Sequence, residues 1–134
     1  MSDGEDASPA IASSAPVFDP RALELLQRLG GDKLVADIID LFGSSAPDLL
    51  SRARAGVESG DSEAIRRALH SLKSSAGQLG AGRMQQSCEE GELLAAHGAG
   101  LALTCLVFRL DAEFADARVY LDDVKRNLHE GVEG

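Results

Sequence analysis

A chain of 134 residues can bury one respectable core but not two independent ones, so a single domain is expected. Hydrophobic residues make up 44% of it while aromatics make up 4% and Trp is absent, which leaves the interior to Leu, Val, Ile and Ala, residues suited to helix packing. A net charge of -9 repels phosphate backbones and anionic lipid surfaces, so it argues against nucleic acid and membrane as partners and favours a protein.

Residues 1–16 are Ser, Ala, Pro, Gly and acid with little periodic apolar character, the composition of a flexible tail or interdomain linker; residues 17–130 form the expected domain. No basic start leads into an apolar run, and no stretch approaches the roughly 20 apolar residues of a spanning helix, so the chain reads as cytoplasmic. Asp19-Pro20 is an N-cap followed by proline at the first helical position, opening a short helix through Leu23, Leu26 and Leu29 that ends at Gly30-Gly31.

Asp32 caps the next helix, whose apolar stripe is Val35, Ile38, Phe42, Ala46, Leu49, Ala53 and Val57. The stripe passes Pro47 in phase, which predicts a kink or a one-turn defect there. After Gly60, Asp61 or Ser62 caps a helix with Ile65, Leu69, Leu72, Ala76 and Leu79 inward, closed by Gly80. A further helix over about 82–97 turns Met84, Cys88 and Leu94 or Ala95 inward and has the weakest stripe, since Gly91 takes a core position.

The last helix is the clearest: Leu103, Val107, Leu110, Phe114, Ala117, Leu121, Val124 and Leu128 repeat at four and three. Leu101, Leu106 and Phe108 fall outside that stripe, to be covered by the first helix or left as an exposed patch. Cys88 and Cys105 lie in helical patterns with no Cys or His at metal-ligand spacing, and are expected as reduced, packed thiols. Long amphipathic helices with short loops define an all-α fold, an antiparallel four-helix bundle with a short additional N-terminal helix.

At about 100° per residue His70 lies on the outward face of its helix, roughly 140° from the Ile65 to Leu79 stripe. Arg66, Lys73, Ser74 and Gly77 stand four before and three, four and seven after it, on the same surface. A neutral imidazole, favoured by nearby positive charge, is nucleophilic at a ring nitrogen. Phosphoryl transfer asks the protein for positioning and for charge compensation on the equatorial oxygens, which Lys73 can supply, while Gly77 leaves clearance for a docking partner. His97 and His129 lie near helix ends and suit helix-terminus charge; Glu89, Glu90 and Glu92 read as a solvated face, with no bound metal expected.

The run His70-Ser71-Leu72-Lys73-Ser74-Ser75-Ala76-Gly77-Gln78-Leu79-Gly80-Ala81 resembles the signature of bacterial histidine phosphotransfer (HPt) domains. Similarity extends over about residues 18–128, through Phe18-Asp19, Gly31-Asp32, Phe42 with Ala46-Pro47, Gly60-Asp61 and Cys88 ahead of Glu92. The resemblance implies that His70 accepts a phosphoryl group from the aspartate of a receiver domain and passes it to another, that Lys73 pairs with the phosphate, and that small residues at Ser74 and Gly77 permit close approach.

It implies, too, a monomeric carrier with no cofactor and no kinase activity of its own. Mg²⁺ would sit on the partner, the receiver of a response regulator or hybrid histidine kinase. Two departures stand out: Ser74 where many members carry Gly, and Gly91 where they carry a large apolar residue, which predicts an underpacked fourth helix. Two competing readings are a sensor-kinase phosphoacceptor domain and a helical adaptor that binds a signalling protein. The first is disfavoured because Ser71, not an acidic residue, follows the histidine; the second would make His70 incidental.

Overall fold

The computed structural model describes residues 17–98 and 100–133, with side chains through residue 128. The expected tail over 1–16 and the side chain of His129 lie outside the described residues. Four helices follow in order: α1 Pro20–Ser59, α2 Ser62–Gln78, α3 Gly82–Ala96 and α4 Gly100–Glu133. Short turns at Gly60-Asp61, Leu79-Gly80-Ala81 and His97-Gly98 reverse the chain each time, giving an antiparallel bundle. Helices touch in the cyclic order α1, α2, α3, α4 and back to α1, so α2 and α4 face each other diagonally across the core.

The expected short N-terminal helix is the first part of α1 rather than a separate element. The break lies at Gly31, whose φ of 73° and ψ of -167° interrupt an otherwise helical run. Asp19 caps the start by accepting from the Arg21 N–H at 3.0 Å, and across the break the Gln27 side chain donates to Asp32. Pro47 keeps helical dihedrals, so the interruption expected there occurs at Gly31 instead. Proline removes one N–H from the ladder, and packing on both sides of Pro47, by Ala46 and Leu50, holds the helix through it.

One core joins all four helices. From α1 it takes Leu26, Val35, Ile39, Phe42, Ala46, Leu50 and Ala53, so the stripe runs one residue past the expected Ile38 and Leu49, which are half-buried at its edge. From α2 come Ile65, Ala68, Leu69, Leu72 and Ala76, and from α3 Met84, Cys88 and Ala95. α4 contributes Leu103, Leu106, Val107, Leu110, Ala117 and Leu121. Phe42 and Phe114 meet edge-on at 5.5 Å, and Phe18 stacks on Tyr120 at 4.1 Å, pinning the chain ahead of α1 to α4.

Three expectations are corrected by packing. Gly91 leaves no void: a Cβ there would stand 2.5 Å from Leu69 Cδ1 and 2.9 Å from Leu106 Cδ1, so the missing side chain lets two leucines fill the centre. Leu106 is therefore core, whereas Leu101 and Phe108 are exposed. Cys88 is buried, and that burial, reinforced by the Glu113 and Glu92 charges, pushes its thiol up to about 12; Cys105 is exposed rather than packed. Among the described residues, no helix is long and apolar enough to cross a membrane.

Candidate functional site

Asp61 accepts from the Ala64 N–H at 3.1 Å and fixes the start of α2, and the buried Leu69 and Leu72 then set its rotation. His70 is thereby turned outward, its side chain 62% exposed. Its nearest partner comes from another helix. Glu92 of α3 reaches His70 Nδ1 with Oε2 at 3.0 Å and takes the Lys73 ammonium on Oε1 at 2.6 Å.

Glu92 is only 15% exposed and so does not belong to the solvated acidic face expected of Glu89, Glu90 and Glu92. It stands four residues after buried Cys88, at the rim of α3's inward face, and that spacing was the available signal. Burial raises its affinity for a proton, but hydrogen bonds from Lys73 and His70 outweigh this and hold the carboxyl below its usual range. The same hydrogen bond lifts the Lys73 ammonium above its ordinary value.

The other residues of the expected surface are arranged differently. Arg66 turns one turn back to Glu63, with Nη2 2.5 Å from Oε2, and its guanidinium is committed there. The group closest to the imidazole is thus a carboxylate, not a ring of cations. Ser74 is exposed as expected. At Gly77 a Cβ would stand 2.6 Å from Gln85 Nε2, so the glycine accommodates the Gln85 amide of α3, and both line a shallow cleft with Lys73 and Glu89. On the other side of His70, α1 and α2 enclose an open cleft of about 610 Å³ lined by Leu49, Arg52, Ala55, Gly56, Arg67, Ala68 and Ser71. His97 Nδ1 lies 2.8 Å from the Leu93 carbonyl and serves the C-terminus of α3.

An exposed histidine in mid-helix is thus tied through one nitrogen to a carboxylate-lysine pair. A family model described as the Hpt domain matches residues 37–120, which include both α2 and α3. The chain belongs to the Hpt domain family. Its structure is similar to that of histidine-containing phosphotransfer protein B from Pseudomonas aeruginosa PAO1, at 28% identity and a TM-score of 0.79, covering 85% of this chain and 98% of that one. A histidine-containing phosphotransfer protein from maize matches over 87% of each chain with a TM-score of 0.74; at 22% identity this likeness concerns the fold. No curated protein sequence matches.

Membership makes this Hpt domain a histidine phosphotransfer module of phosphorelays, a class that carries phosphoryl groups rather than turning over a substrate. Among the described residues no cluster of three or more His, Cys, Asp or Glu converges as a metal site would require.

Proposed function

We propose that His70 is the phosphoacceptor of this domain and that its Nε2 is the reacting atom. The observation that carries this is the Nδ1 to Glu92 contact. An ionised carboxylate can only accept, so Nδ1 bears the proton and the lone pair is left on Nε2, at the solvent side. The aspartyl phosphate of a receiver, with its Mg²⁺, would be the donor. The P–O bond to its carboxylate breaks as the N–P bond to Nε2 forms, and the ring, still protonated at Nδ1, becomes cationic beside Glu92. Transfer onward to a second receiver reverses these steps.

Lys73 serves twice in this reading. One of its three N–H donors holds Glu92, and the others remain available to equatorial oxygens of the incoming group. Ser74 keeps the approach low, Arg66 supplies positive potential at one remove, and Gly77 lets Gln85 lie flat beside the path. The receiver of a response regulator or hybrid histidine kinase would sit over the His70 face and the α1–α2 cleft, whose lining of Leu49, Ala55 and Ala68 beside Arg52 and Arg67 suits an apolar contact with an acidic rim. A cytoplasmic setting follows from such a partner.

Incubation with a radiolabelled phosphorylated receiver tests the reading. Label moves to the wild type and not to His70→Gln, and Lys73→Ala, verified as folded by circular dichroism, accepts it at least about tenfold more slowly. Equal labelling of wild type and His70→Gln removes His70 from the mechanism.

A further inference from the structure

Helix α4 carries a second apolar stripe on its outer face. Leu101, Cys105, Phe108, Ala112, Ala115 and Val119 follow at spacings of four, three, four, three and four, the heptad repeat of a paired helix. Each stands two positions ahead of a residue of the inward stripe, from Leu103 through the half-buried Phe114 to Leu121, which at about 100° per residue sets the two stripes on opposite faces. All six are exposed, Leu101, Val119 and Phe108 by 81%, 73% and 71%. A helix apolar on opposed faces calls for cover on both, and the bundle covers one. Past Val119 the outer face turns charged at Asp122, Asp123 and Arg126, which bounds the stripe.

We propose that this face pairs with α4 of a second copy of the chain, antiparallel about a twofold axis between Ala112 and Ala115. Charge selects the register. Arg109 and Asp116 flank one edge of the stripe, Asp111 and Arg118 the other. Antiparallel helices bring equivalent edges together, so this axis places Arg109 against Asp116 of the second copy and Asp111 against Arg118 of the second copy, each twice by symmetry.

Moving the axis to Leu110 would instead oppose Arg109 to Arg109 and Asp111 to Asp111, and an in-register parallel pair would oppose Asp111 to Asp116. The favoured register also stacks Phe108 on Val119 at the ends and Ala112 on Ala115 in the middle, so the helices can approach closely. Asp116 and Arg118 form no ion pair within the chain among the described residues, while Arg109 and Asp111 pair with Glu90 and Arg54 and would extend those pairs. Because α4 is diagonal to α2, the paired molecule keeps both His70 faces open, and the pairing stands independently of the phosphoacceptor reading.

Sedimentation equilibrium of the full chain from about 10 μM to about 1 mM covers the range in which a small interface dissociates. A reversible monomer–dimer equilibrium is expected, abolished by Ala112→Glu, weakened about tenfold or more by Asp116→Arg and restored when Arg109→Asp is added to Asp116→Arg. All three substitutions are at exposed sites, and circular dichroism verifies that the variants fold. A monomer across the whole series overturns the proposal. So does a dimer indifferent to Ala112→Glu, or a double variant no tighter than Asp116→Arg alone.

Discussion

If His70 is the phosphoacceptor, as proposed, its contact with Glu92 decides which ring nitrogen reacts. In water a neutral histidine side chain is free to exchange tautomers, whereas here the carboxylate selects the proton on Nδ1. Nitrogen-15 correlation spectra of the side chain should show the neutral ring protonated at Nδ1 in the wild type and a mixture in Glu92→Ala, with slower phosphoryl acceptance in the variant. An unchanged tautomer in Glu92→Ala would mean the contact is incidental.

The triad also has a pH signature. Glu92 is held below its ordinary value, so its contribution to stability is complete above the unfolded carboxyl value of about 4.3 and is lost as pH falls through the lowered one. Lys73 is raised, so its share is complete below about 10.4 and is lost as pH rises through the raised value. The stability difference between wild type and Glu92→Gln should therefore shrink below about pH 4 as Glu92 takes up its proton. His70 and Lys73 were legible in the sequence because both lie on one helix face. Glu92 was not, because its place depends on how α3 packs on α2, 22 residues along the chain.

At the scale of elements, three glycines separate backbone need from packing need. Gly80 has a φ of 80°, and a Cβ there would collide with the Asp19 carbonyl, the residue whose N–H donates to the Gly80 carbonyl at 2.8 Å. Gly91 is helical, but its Cβ would press on Leu69 and Leu106. Gly43 is helical with nothing within 4 Å. In urea titrations Gly80→Ala should cost the most, about 2–4 kcal/mol from strain and clash together.

Gly91→Ala should cost about 1–2 kcal/mol, overpacking outweighing helix propensity. Gly43→Ala should gain about 0.5–1 kcal/mol. A neutral or stabilising Gly91→Ala would show that the two leucines yield freely. Helix phase was readable wherever a single apolar residue marked each turn, as in α2 and in α4 from Leu110 onward. It slipped by one in α1, where Ile38-Ile39 and Leu49-Leu50 offer adjacent apolar pairs and only the neighbouring helices choose between them.

Across the molecule, no helix has a core of its own: each inward stripe finishes its burial only against two neighbours, so the bundle should melt as one unit. The segment ahead of α1 is the element whose membership is least evident from sequence, since Phe18 has no periodic partner there. In the structure its ring stacks on Tyr120, and Asp19 ties the Gly80 turn, which places the start of α1 within the same unit. Tyr120 is the only tyrosine and Trp is absent, so tyrosine fluorescence reports that contact alone while far-ultraviolet circular dichroism reports all four helices. At a few micromolar chain, urea unfolding followed by the two signals should give one midpoint and one slope, in the range of about 1–3 kcal/mol per molar for a small domain. A fluorescence midpoint well below the circular dichroism midpoint would mean that Phe18 leaves Tyr120 before the bundle opens, and that residues 17–30 form a separable strap on a smaller cooperative core.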